Sequence, residues 1–142
     1  MTAPLSLVTL GVRDVPRSTE FYQALGFELS SASVPGEVSF FGTPGAILAV
    51  WGHDALAADA GVGSGSAPAY RGVAVAINVE SPAAVDELVR RAEAAGARVT
   101  QPAHETYWGG YDAYFADLDG HLWEVAHNPG WPLGPDGRPQ LP

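Results

Sequence analysis

The chain of 142 residues has no cysteine, which excludes disulfides, Cys-ligated zinc and thiol chemistry. It also has no lysine: its seven basic residues are all arginine, so no Schiff base can form on a lysine side chain. With 16 acidic residues the formal charge is −9 and the pI is near 4.6. Clustered cations, which phosphate binding needs, are missing, so nucleic acid and anionic membrane are not expected as partners. No apolar run approaches the roughly 20 residues that span a bilayer. The opening MTAPLSLVTL carries neither a basic segment nor a cleavage-site pattern, so a cytoplasmic location is expected. The 46% apolar fraction suits a folded globular protein of one compact domain or two small modules.

The first half reads as βαβββ. LSLVTLGV (5–12) is rich in β-branched residues and predicts a strand. Asp14 and Pro16 then predict a helix start, and Ser18, Phe21, Tyr22 and Leu25 recur at helical spacing before Gly26 ends it. Three strand-like runs follow, ELSSAS, EVSFFGT and AILAVW, separated by turns at Pro35-Gly36 and Pro44-Gly45. Residues 52–71 lose periodicity and fill with Gly, Ala and Ser, which predicts a linker with a short helical turn at 54–59. The same order then returns. GVAVAINV (72–79) predicts a strand, Ser81-Pro82 a capped helix start, and Val85, Leu88, Val89 and Ala92 its apolar stripe, ended by Gly96. ARVTQPAHET is extended, and DAYFADL and HLWEVAH flank the turn signal Asp119-Gly120. Gly11 matches Ala76, Gly26 matches Gly96, and Gly45 matches Gly120, at offsets of 65, 70 and 75, which favours duplication. The modules are therefore 5–51 and 72–128, followed by a Pro/Gly-rich C-terminal coil, 129–142, that packs over a surface through Trp131.

Strand alternation assigns faces. The helix-packed faces should be the bulkier ones, Val8, Leu10 and Val12 in one module and Val73, Val75 and Ile77 in the other. The opposite faces then hold Leu7, Thr9, Gly11, Ile47, Ala49 and Trp51, and in the second module Gly72, Ala74, Ala76, Asn78, Asp112, Tyr114, Leu122, Glu124 and Ala126. Small residues dominate, so two such faces curled together predict a concavity with Glu124 as its main charge. The competing possibility is that both faces pack on a partner subunit. Of the four histidines, His53, His121 and His127 read as turn, linker or surface groups. His104, near Glu105, lies in a strand of uncertain register.

Paired βαβββ modules, RDVPRSTEFYQALGFE after the first strand, and GGYDAYFADLDGHLWEVAHNP near the end resemble the vicinal oxygen chelate superfamily of glyoxalases, fosfomycin-resistance thiol transferases, extradiol dioxygenases and bleomycin-resistance proteins. The resemblance covers roughly residues 5–129 and is most specific at FADLDGHLWEV. It implies an α+β fold in which two βαβββ modules form a cup-shaped mixed sheet with helices on the outer face, the whole chain being one such domain, and a homodimer. Metal-dependent relatives place ligands early in a module's first strand and a Glu in its last strand. Glu124 matches the latter, whereas Leu7, Gly72 and Ala49 stand at the other positions, and their neighbours Ser6, Val8, Arg71 and Val73 are no better. One carboxylate without a histidine partner is too few ligands for a stable transition-metal site, so no cofactor is expected.

Two functions follow from these residues. In one, a metal-free pocket binds a small molecule, cationic or aromatic, through Thr9, Trp51, Asn78, Trp108, Tyr114 and Glu124. In the other, a lyase, isomerase or dioxygenase of the same superfamily uses Glu124 as catalytic base or as ligand of a weak divalent metal site. A purely structural dimer module is the third alternative and predicts no pocket.

Overall fold

A computed structural model describes residues 3–66 and 68–142. The order of elements in the first unit is set by its caps and turns. Strand β1 (Leu7–Val12) leads to helix α1 (Val15–Ala24), whose cap Asp14 accepts a hydrogen bond from the Arg17 backbone N–H at 3.0 Å. Gly26 follows with φ +103°, the left-handed backbone that lets the chain leave the helix and enter β2 (Glu28–Leu29). Strands β3 (Val38–Gly42) and β4 (Ile47–Gly52) complete a sheet of order β1-β4-β3-β2, with β1 and β4 parallel. The second unit repeats this pattern. Strand β5 (Ala74–Asn78), helix α3 (Pro82–Ala94) capped by Ser81, and strands β6 (Arg98–Glu105), β7 (Tyr111–Ala116) and β8 (Leu122–His127) give the order β5-β8-β7-β6, with β5 and β8 parallel. The chain divides into compact units Met1–Pro68 and Ala69–Pro142. The fold is α+β, with two βαβββ-like modules, two four-stranded mixed sheets and three helices.

Each core lies between one sheet and its long helix. In the first unit α1 buries Val15, Ser18, Phe21 and Tyr22, and Leu10, Val12, Leu48, Val50 and Phe41 are buried on the sheet. Tyr22 is fully buried and meets Phe21, Phe27 and Phe41 at ring-centroid distances of 5.0, 5.8 and 6.0 Å, an edge-rich aromatic cluster. The one polar join beneath it is satisfied: Thr19 Oγ1 donates to the Val15 carbonyl, so Ser39 Oγ donates to Thr19 at 2.7 Å. In the second unit Val85, Val89 and Ala92 of α3 are buried, as are Ala113, Phe115, Trp123 and Val125 of the sheet. Phe115 and Trp123 stack at 6.4 Å with planes 7° apart.

The region expected to be a linker with a turn at 54–59 begins instead with a full helix, α2 (His53–Ala60), closed by Gly61 at φ +75°. It packs on β1 and β4. A Cβ added to Gly11 would lie 3.3 Å from the His53 Cα and 3.5 Å from Leu56 Cδ2, so α2 covers the Gly11 end of the face that α1 leaves free. The alanine-rich helix was hidden because its small side chains give no apolar stripe. Gly11→Val should push α2 away and destabilise the fold by about 1–3 kcal/mol in urea unfolding, with the same denaturant slope.

Candidate functional site

The hairpin that positions Glu124 is built by its turn. Asp117 Oδ1 accepts from the backbone N–H groups of Asp119 and His121 at 2.9 and 2.8 Å, and Gly120 takes φ +85°. That turn pairs Tyr114 with Glu124, Phe115 with Trp123 and Asp112 with Ala126. Trp123 and Val125 go to α3, and Glu124 goes to the other face with Leu122 and Ala126, as alternation predicts. Across the sheet, Ala76, Glu124, Tyr114 and Gln101 form one row, and Asn78, Ala126, Asp112 and His104 form the next.

Glu124 is half-buried in this row, and its pKa is pushed up to about 7. Burial is the largest cause, followed by the carboxyl of Asp112, which lies within hydrogen-bonding reach and repels a second charge; the Tyr114 hydroxyl acts the other way by donating to the carboxylate. Tyr114 is in turn held above its ordinary value, by burial first and then by the Glu124 charge. Two facing carboxyls form a hydrogen bond only when one holds a proton, so the pair shares one near neutral pH. Asp112 is 5% exposed, and its Oδ1 has no hydrogen-bond partner. His104 approaches that oxygen, with Nε2 3.7 Å away.

The predicted site residues separate into three places. Tyr114, Glu124 and Asn78 share the face of the second sheet opposite α3. Thr9 and Trp51 share the corresponding face of the first sheet, where Thr9 pairs with Ala49 and Trp51 with Gly11. Trp108 is on the loop joining β6 and β7, folded over Gly110 so closely that any side chain at 110 would displace the indole. That loop is closed by Thr106, whose N–H donates to the Gly110 carbonyl and whose Oγ1 accepts from the Gly110 N–H, both at 2.9 Å. A cavity of about 580 Å³ opens beside it, lined by Pro82, Glu105, Tyr111, His127 and Pro129 among others. By strand parity Tyr111 and His127 lie on the α3 side, so this cavity and Glu124 are on opposite faces of the sheet.

Each of the remaining histidines has a partner, and His121, expected to bond backbone at the turn, meets a side chain instead. The His127 ring reaches the Val79 carbonyl at 3.2 Å, His121 meets Arg71 at 2.7 Å, and His53 meets the Ser64 carbonyl at 2.7 Å. Asp112 was placed on the Glu124 face by alternation but not singled out as a site group. Its signal was its position, two residues before Tyr114.

The fold has known counterparts. Residues 5–125 match the glyoxalase/bleomycin resistance protein/dioxygenase superfamily. The chain belongs to that superfamily. It is 34% identical to a glyoxalase-related enzyme from Fulvimarina pelagi, with 99% of each chain covered and a TM-score of 0.87. A glyoxalase/bleomycin resistance protein/dioxygenase from Nocardioides is 31% identical, with 94% of this chain and 91% of that one covered and a TM-score of 0.72. A curated protein of Pseudomonas aeruginosa, itself uncharacterised, is 47% identical over 64 residues. That match takes in 45% of this chain and spans only 44% of the relative's length.

Members of this superfamily that use a metal need several donors. Leu7 and Gly72 offer none, and among the described residues no group of three or more His, Asp or Glu could hold a metal ion. The donor set does not fit such a metal.

Glu124→Gln tests the carboxyl's environment. A carboxyl whose folded pKa lies above its unfolded value stabilises the fold below the unfolded pKa, and that contribution is lost as pH rises through about 7. Gln cannot ionise, so the variant's melting temperature should gain on the wild type between pH 5 and pH 8.5. Asp112→Asn removes the repelling anion, so the Glu124 midpoint should fall below 7 in carboxyl carbon NMR titrations.

Proposed function

We propose that this protein binds a small organic molecule against the sheet face bearing Glu124 and that Glu124 moves a proton on it as general base and acid. The observation that carries this is the carboxyl pair: Glu124 beside Asp112, with a pKa of about 7, is divided between its two protonation states at neutral pH. A group so poised is available both to take a proton and to return it. Tyr114 donates to Glu124 from the next strand and is placed to donate to a developing oxyanion on a ligand that displaces this contact. Together they suit abstraction of a C–H proton beside a carbonyl, the step of a lyase or isomerase. The glyoxalase-related enzyme of Fulvimarina pelagi, alike over 99% of both chains, supports the enzymatic alternative over binding alone.

Asn78 is the remaining proposed contact on this sheet face, and Trp108 belongs to the set only if its loop turns toward the ligand. A homodimer in the cytoplasm is the proposed setting. A second reading, sequestration of a cationic or aromatic molecule without catalysis, is favoured by the −9 charge and by the two carboxyls. It differs in what Glu124 does: there the ligand's charge, not a proton, answers the carboxylate.

The two separate in heavy water. Incubating the protein at pD near 7 with a panel of small α-hydroxy and α-keto carbonyl compounds, and following C–H signals by proton NMR, should reveal deuterium entering at one α-carbon. Glu124→Gln should slow that exchange by about 100-fold or more. Binding of organic cations with no exchange in any compound, and with affinity lost in Glu124→Gln, selects sequestration instead.

A further inference from the structure

The groups around Asp112 contain an unpaired demand. Asp112 is buried, its Oδ1 accepts no hydrogen bond, and the Nε2 of His104 stands 3.7 Å away. His104 Nδ1 lies 3.0 Å from the Pro102 carbonyl. A carbonyl only accepts, so Nδ1 carries a hydrogen, and in the neutral ring Nε2 is then the bare lone pair. A lone pair facing a carboxylate oxygen is repulsive unless a cation lies between them. A proton held between the nitrogen and the oxygen removes that repulsion and needs no further donor. The His104 side chain is 45% exposed and that of Asp112 only 7%, so the pair runs from solvent into the sheet. β6 is the edge strand of this sheet, and the register sets His104 opposite Asp112.

We infer that His104, Asp112 and Glu124 form a proton path from solvent at the β6 edge to the ligand-binding face, with His104 as its outer port. The inference rests on Glu124 being the acid–base group and names the residue that resets it. The path starts with Asp112 a carboxylate and a proton on Nε2 of His104, after Glu124 has taken a proton from the ligand. His104 releases its Nε2 proton to water, and Glu124 passes its own proton to Asp112, which hands it on to Nε2. Glu124 is again a carboxylate, Asp112 and His104 are unchanged in charge, and one proton has reached solvent. The other groups facing this row are Tyr114 and Gln101, with Ala76 and Asn78 from β5, and Arg98 stands in the row of Ala116 and Leu122, next to that of Glu124. Among them only Tyr114 titrates beside Glu124, and its own contact is a hydrogen bond to that carboxyl.

The test needs no substrate. The Glu124 carboxyl carbon is followed by NMR against pH in the wild-type protein and in His104→Ala and His104→Gln. Losing an imidazolium that favours the nearby carboxylates should raise the Glu124 midpoint by about half a pH unit or more. Gln can donate a hydrogen bond toward Asp112 but cannot take its proton, so it should keep the fold and behave as Ala does. An unchanged midpoint in both variants overturns the path, and so does full restoration by Gln, which reduces His104 to a structural donor. Stoichiometric zinc binding that depends on His104 and Asp112 also overturns it, because the gap would then hold a metal. Where deuterium exchange is found, His104→Gln should lower its rate about tenfold at pH 7 with KM unchanged. Exchange absent but titrations coupled removes the catalytic role of Glu124 and leaves the path standing.

Discussion

The register of the β7–β8 hairpin is the constraint on which the rest of the second unit depends. Side chains alternate along a strand, so slipping the pairing by one residue exchanges the two faces. Trp123, 2% exposed and stacked on Phe115, would then leave α3, and Glu124 would enter the hydrophobic layer under Val85 and Val89. The turn prevents this. Two backbone N–H groups bound to Asp117 Oδ1 and the left-handed Gly120 fix where β7 ends and β8 begins. Core and site are therefore set by one loop, and the aromatic pair that stabilises the unit also aims Glu124.

Much of this was legible in the sequence because period and punctuation agree there. Asp14-Val15-Pro16 and Ser81-Pro82 mark helix starts by a cap and a first-turn proline, and both caps make their hydrogen bond. The apolar spacings placed Phe21, Tyr22, Val85 and Val89 in the cores. Glu124, Tyr114 and Asn78 were assigned to one face by parity, and the strand pairing keeps them there. Helix α2 was not legible as a full helix, since Ala55, Ala57, Ala58 and Ala60 supply no stripe and Gly52 gives it no side-chain cap.

The placement of His104 was beyond alternation for a different reason. β6 carries two irregularities, between Val99 and Gln101 and between Gln101 and His104, so it spends two more residues than β7 over the same length. Pro102 lies inside the second, where a residue without an N–H belongs. The strand is at the sheet edge, the position that tolerates such defects. Only the pairing of His104 with Asp112 shows that the bulges return the histidine to the site face. With the first alone it would stand opposite Tyr111 and project toward the side of α3; with neither it would run past Asp112 to stand opposite Gly110.

These features give Glu124 its character. In a metal-dependent relative a carboxylate at this strand position is answered by the cation it binds. Here Leu7 and Gly72 provide nothing to complete such a shell, Ala76 beside Glu124 is a methyl group, and the chain's overall charge is strongly negative. The remaining ways to satisfy a half-buried carboxylate are hydrogen-bond donors and protonation. Tyr114 supplies the first. Asp112 makes the second favourable by setting another carboxyl within reach, which disfavours the doubly ionised pair far more than the singly ionised one. A proton thus eases the charge on Glu124, and under the proposed function that proton is the one handed to a ligand and back.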